Sequence, residues 1–153
     1  MFEATARRVL RLVFGSGADI SPANPLPVDT SPGAKTATTV LDEATIAAGA
    51  TTALGDCAAI DLSSGPATLA IIVEATYNGA AAQGIKIHVR TSHDGTNWDT
   101  IDWDSWTPSF TTGVTIRQTK HYDVSPYAVK VLVENLDPAR PVTAVKIIAT
   151  VGP

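Results

Sequence analysis

From Thr36 onward, apolar and polar residues alternate with a period of two. Leu69, Ile71, Val73, Ala75 and Tyr77 alternate with Ala70, Ile72, Glu74 and Thr76. Ile85, Ile87 and Val89 alternate with Lys86, His88 and Arg90, and Val129, Val131 and Val133 with Lys130, Leu132 and Glu134. Val145, Ile147, Ala149 and Val151 alternate with Lys146, Ile148 and Thr150. Such alternation marks strands with one buried and one open face, the habit of antiparallel sheets. Turn chemistry separates the runs at Gly65-Pro66, Asn78-Gly79, Asp94-Gly95, Ser125-Pro126 and Asp137-Pro138-Ala139-Arg140-Pro141. Weaker strands are expected over 37–46, 57–62, 98–103 and 113–119. A total of about seven or eight strands predicts an all-β antiparallel β-sandwich or jelly roll.

The first residues follow a different period. Phe2, Ala6, Val9, Leu10, Val13 and Phe14 recur at helical spacing, with Arg7, Arg8 and Arg11 largely on other faces. An isolated helix over 2–14 is marginal in water and needs a surface to pack on. Residues 15–35 then hold Gly15, Gly17, Pro22, Pro25, Pro27, Pro32 and Gly33, which exclude regular elements. The proline spacing favours an extended, semi-rigid strap. The expected organisation is an N-terminal helix and extended Pro-rich arm over 1–35, followed by a β-sandwich domain over 36–153.

Composition narrows the function classes. The chain has 153 residues, one ordinary domain in length, with 44% hydrophobic and 17% charged residues, a globular balance. Residues 1–14 carry three arginines against one glutamate, net +2, which leaves −6 on the rest of a chain whose net charge is −4. An acidic body argues against nucleic acid as a partner. No apolar run approaches the roughly 20 residues that span a bilayer, so no membrane role is expected. The stretch Val9-Leu10-Arg11-Leu12-Val13-Phe14 is short, carries a charge in its middle and makes a poor secretory signal. The single cysteine, Cys57, allows no internal disulfide and is expected to be a buried, inert thiol.

The most conspicuous candidate site is the segment from Ser92 to Trp106. Asp94-Gly95 is expected to form a hairpin turn, since glycine takes positive φ at little cost, with Trp98 opening the return strand. Trp98, Trp103 and Trp106 suit either stacking on sugar rings or the plainer role of filling a core edge or a subunit contact. Asp94, Asp99, Asp102 and Asp104 offer oxygen ligands, but their spacing departs from the EF-hand loop, so no metal is expected. His88, His93 and His121 are scattered, and His88 is expected to face solvent from the polar side of its strand. No serine sits in a Gly-x-Ser-x-Gly turn and no phosphate-cradling loop is present. The expectation is therefore a protein that is not an enzyme and needs no cofactor.

Two features carry a family resemblance. Asp19-Ile20-Ser21-Pro22-Ala23-Asn24-Pro25-Leu26-Pro27-Val28 resembles the straps near the start of many tailed-phage structural proteins. The body resembles small β-sandwich proteins encoded among phage virion genes, in Ile46-Ala47-Ala48-Gly49-Ala50-Thr51-Thr52, Ser92-His93-Asp94-Gly95-Thr96-Asn97-Trp98 and the run from Tyr127 to Asp137. The Ser-x-Asp-Gly-x-x-Trp run also resembles the Asp-box of sialidase-type propellers, but it occurs once and the chain is too short for several blades. The phage resemblance implies a virion building block, made in the host cytoplasm, serving in capsid decoration, neck or tail. It implies self-association and contact with other virion proteins, with no catalytic residues. The expected assembly anchors are Phe2, Val9, Leu10, Val13 and Phe14 in the helix, and Leu26 and Val28 in the strap. The alternative is a carbohydrate-binding module or host-surface adhesin using Trp98, Trp103 and Trp106 with Asp99 and Asp102.

Overall fold

The computed structural model describes residues 35–64, 67–124 and 126–152. These belong to a compact unit spanning Gly33–Pro153. The helix expected over 2–14 and nearly all of the strap lie outside the described residues.

Eight strands follow in chain order: β1 (Thr36–Ile46), β2 (Ile60–Asp61), β3 (Ala67–Tyr77), β4 (Ile85–Ser92), β5 (Asp104–Trp106), β6 (Thr115–Val124), β7 (Ala128–Asn135) and β8 (Val142–Gly152). They form two antiparallel four-stranded sheets, ordered β1-β8-β3-β6 and β2-β7-β4-β5. The first strand lies beside the eighth, the second beside the seventh, the third beside the sixth and the fourth beside the fifth. Every connection except β4–β5 crosses between sheets. This nested pairing is the connectivity of a jelly roll.

The alternation read from the sequence places the core. Leu69, Ile71, Val73 and Ala75 from β3 face Ile85, Ile87 and Val89 from β4 and Val129, Val131 and Val133 from β7, all fully buried. Val145, Ile147 and Ala149 of β8 and Val40, Leu41 and Ile46 of β1 complete it. Each of the buried Val, Leu and Ile side chains contributes about 1.5–3 kcal/mol through burial. Cys57 is buried among them, its thiol 3.5 Å from the Ala53 carbonyl, and burial pushes its pKa up. In β8, Ala144 adopts φ +49° where the β3–β8 register slips between Glu74 and Thr76. That is a bulge held by a residue other than glycine, a conformation that costs about 1–2 kcal/mol.

Three expectations need correction. The strand expected over 98–103 is a looped segment with one isolated bridge, Ser92 to Trp98, and the return strand begins only at Asp104. The turn built by Asp94 uses up the chain through Asn97; beyond it only the Asp99 and Trp103 N–H groups reach β4 carbonyls, of Thr91 and Val89, four residues apart on this side and two on β4, while the Asp99 and Asp102 carboxylates bind β4 side chains, so no regular ladder forms. The strand expected over 57–62 contracts to Ile60–Asp61, because the preceding residues turn across the open side and Ala58 N–H donates to the Val40 carbonyl. The strand expected to end at 119 runs on to Val124, paired with β3 throughout.

The sheet edges are guarded unequally. Strand β6 carries Arg117, Lys120, His121 and Asp123 along its length, and β2 and β5 are very short, both of which discourage pairing with another chain. The first four residues of β1, Thr36, Ala37, Thr38 and Thr39, carry no charge.

Candidate functional site

The segment singled out from the sequence is the β4–β5 loop and the sheet face it covers. Its first part is a self-satisfied turn. The Asp94 carboxylate accepts the N–H groups of Thr96 at 2.8 Å and Asn97 at 2.7 Å, and its second oxygen accepts the Asn97 side-chain amide at 2.7 Å. Those bonds, the Asn97 N–H first, hold the Asp94 carboxyl well below the usual carboxylate range. The buried Ser92 hydroxyl accepts Gly95 N–H at 2.9 Å and lies 2.5 Å from the Asn97 carbonyl, to which it donates. Gly95 sits at φ +74°, a region that favours glycine. The polar groups of this run are therefore spent on the turn itself.

The second part folds over the outward side of β4. Thr91 Oγ1 donates to Asp99 Oδ2 at 2.5 Å, and Arg90 Nη1 donates to the Asp99 carbonyl at 3.4 Å. Asp102 reaches both His88 Nδ1 at 2.7 Å and Arg90 Nε at 3.2 Å. Partial burial disfavours its charged form, but the bonds and charges of His88 and Arg90 outweigh that and hold the carboxyl low. His88 Nε2 lies 3.0 Å from Glu134 Oε2 of β7. His88 does occupy the polar side of its strand, as expected. It is not solvent-facing, however: its side chain is only 15% exposed because Asp102 and the loop cover it.

The third part joins the two sheets. Asp104 on β5 accepts Lys120 Nζ at 2.5 Å and Tyr122 Oη at 2.7 Å, both from β6 in the other sheet. Burial raises the Tyr122 pKa, and the neighbouring Asp104 carboxylate raises it further. The Trp103 ring lies 5.5 Å from the Tyr122 ring, tilted by 39°. Lys120 Nζ sits 5.2 Å from the Tyr122 ring centre and 5.8 Å from that of Trp106.

The three tryptophans thus sit in three environments. Trp98 is half-buried under Lys130, whose Nζ stands 5.1 Å over the ring and donates to the Leu54 carbonyl at 2.9 Å. Trp106 packs against the core with its indole N–H buried. Trp103 is 46% exposed and neighbours Ile101, at 79% the most exposed large apolar side chain among the described residues. The four aspartates likewise go four ways: into the turn, to Thr91, to His88 and Arg90, and to Lys120 and Tyr122. Among the described residues, no three His, Cys, Asp or Glu side chains converge as a metal site. The assembly anchors Phe2, Val9, Leu10, Val13, Phe14, Leu26 and Val28 lie outside the described residues.

Sequence reasoning overlooked Arg90, Glu134, Lys120 and Tyr122 as partners of this loop. The available signal was the shared outward face of Lys86, His88 and Arg90 with Lys130 and Glu134, but their pairing depends on a register 46 residues apart in the case of His88 and Glu134.

No family model matches the chain. No curated protein matches it. Among solved structures, a chain in the structure of infectious bursal disease virus Gx strain aligns with 89% of this chain at 13% identity and a TM-score of 0.40. The aligned region spans 36% of that longer chain. A likeness of that extent leaves the functional reading to the residues themselves.

Proposed function

We propose that this chain is a structural subunit of a virion, of the kind tailed phages build, which associates with copies of itself through its N-terminal arm. The observation that carries this reading is the economy of the body. Its core, among the described residues, is built from the inward side chains of its strands, with Cys57 and Leu62 from the flanking connections. The polar groups of its most elaborate loop are committed to one another and to the sheets, which is the work of a scaffold. In the sequence Phe2, Val9, Leu10, Val13 and Phe14 recur at helical spacing, and a helix so short and apolar would need a partner surface. Jelly rolls serve capsid subunits and lectins alike, so the fold alone favours neither.

Light scattering of the intact chain and of a variant lacking residues 1–32 tests the reading. The intact chain is expected to form a discrete multi-copy assembly, and the truncated chain to be a monomer with an unchanged circular-dichroism spectrum. Equal assembly by both would overturn the role of the arm.

A second reading, glycan binding, draws on the half-exposed Trp103 ring flanked by the Asp102 and Asp104 carboxylates. Of the three tryptophans it needs only Trp103. It predicts glycan-array binding by the intact chain that Trp103→Ala abolishes, a stacking loss of about 1–3 kcal/mol by analogy with base–aromatic stacking. Silence of the intact chain across broad arrays would dismiss it.

A further inference from the structure

The open side of the sandwich, opposite the Asp104–Lys120 join, holds a cleft of about 520 Å³ between β1 and β2. Thr36, Thr38 and Val40 line it from β1, Ala149 and Val151 from β8, and Ile60 from β2. Beside it runs the uncharged start of β1. Its only ladder is with β8, and among the described residues the backbone of residues 36–39 has no partner on the other edge. The edge becomes occupied at Val40, whose carbonyl accepts Ala58 N–H at 2.9 Å. A mainly apolar cleft, with Asp61 and Ser64 also in its lining, next to a short, unguarded strand edge is the arrangement that captures an extended segment by strand addition.

We propose that this cleft receives residues 24–28 of the strap of a second copy of this chain. The inference rests on the assembly reading above and names the surface the arm meets. The sequence Asn24-Pro25-Leu26-Pro27-Val28 fits by parity. In an extended strand, backbone N–H direction and side-chain direction alternate together. Asn24, Leu26 and Val28 therefore present their N–H groups to one edge and their side chains to one face. Pro25 and Pro27 point to the opposite edge, where the missing N–H is harmless. Paired with β1, Leu26 and Val28 enter the cleft on the side of Thr36, Thr38 and Val40, and the prolines close the sheet to any further strand. Each residue before a proline is already biased to extended backbone, which lowers the ordering cost.

Two other occupants are less suited. A second copy's own β1 edge would add only the four free residues, far below the ~800 Å² per partner of a stable interface. Folding of the same chain's strap onto β1 would need a reversal just before Thr36, where the sequence places Pro32, a residue that also biases Ser31 towards extended backbone.

The test co-expresses two full-length variants, Leu26→Cys and Thr38→Cys, and treats them with a short thiol-to-thiol crosslinker. Cys57 is 2% exposed and stays out of the reaction. The pair is expected to give about ten-fold more covalent dimer than Leu26→Cys with Thr119→Cys on the β6 edge, a difference set by effective concentration. An assembled protein with no such excess would overturn the cleft as the docking site and leave the arm's role intact. A Leu26→Cys/Thr38→Cys double variant that links within single chains would assign the cleft to the chain's own strap and overturn the inference. An intact chain that is monomeric at every concentration would overturn it together with the assembly reading.

Discussion

Asn135→Ala is expected to cost about 3 kcal/mol or more and to lower the melting temperature by about 10 °C. Asn135 is the last residue of β7 and is 2% exposed. Its side-chain amide donates to the carbonyls of Arg140 at 2.8 Å and Ala47 at 3.0 Å, with a weaker shared contact to Ile46 at 3.4 Å. Its side-chain oxygen accepts Asp137 N–H at 3.1 Å. One side chain thus ties the β7–β8 loop to the β1–β2 loop. Removing it leaves the buried Asp137 N–H and the part-buried carbonyls of Ala47 and Arg140 without this partner, at about 1–3 kcal/mol for each group left unsatisfied. Thermal unfolding followed by circular dichroism reads the effect. A loss under about 1 kcal/mol would mean that water replaces the amide and that the tie is not structural. Asn135→Asp is a sharper control, since it keeps the shape but turns the two donors into acceptors facing carbonyls.

The body was legible where its pattern is local. Strands β3, β4, β7 and β8 fall where period-two alternation predicts them, because each has a mainly apolar inward face, interrupted by a polar residue only at the strand ends in β4 (Thr91) and β7 (Asn135), and a mixed outward one. Asn78-Gly79 and Asp137-Pro138 fall in connections, as turn chemistry requires. Legibility failed where side chains, not periodicity, set the path. Trp98, Ile101 and Trp103 suggest a strand, yet Asp94, Asp99 and Asp102 hold that stretch as a loop on β4. The same cause hid His88: its polar position was readable, but its cover by Asp102 and Glu134 comes from a loop and a neighbouring strand that only the fold brings together. The division of labour among the tryptophans was equally hidden. Lys130 over Trp98 and Lys120 beside Trp106 are contacts between segments that are brought together only by the fold. The nested strand order was beyond reach for a similar reason, since alternation says which face is buried and not which strand lies alongside.

Asp137→Asn should change how the protein responds to acid, and the sign follows from the bonds that Asp137 makes. Its carboxylate accepts four backbone N–H groups: Ala139 at 2.9 Å, Ala82 at 2.6 Å, Arg140 at 2.8 Å and Gln83 at 3.2 Å. The Ala139 and Ala82 bonds lead in pushing its pKa down to about 2. The unfolded value is about 3.9, so the folded state holds the proton less tightly than the unfolded chain does. The stabilisation is therefore fully present above about pH 4 and is lost as pH falls towards the folded value. Asparagine carries no charge and turns an –NH₂ towards backbone donors, so the variant is expected to melt below the wild type at pH 7, by more than an Asp42→Asn change on the exposed rim. Between about pH 4 and pH 2 the wild type should lose its advantage, and the two melting temperatures should converge. Asp94 is also held low, but it titrates in both proteins and cancels from the difference. Melting temperatures of both proteins measured from pH 7 to pH 2 decide the matter. Parallel curves would show that the Asp137 carboxylate does not carry the acid sensitivity, and that the N–H groups of the β3–β4 and β7–β8 loops are held in place by other contacts.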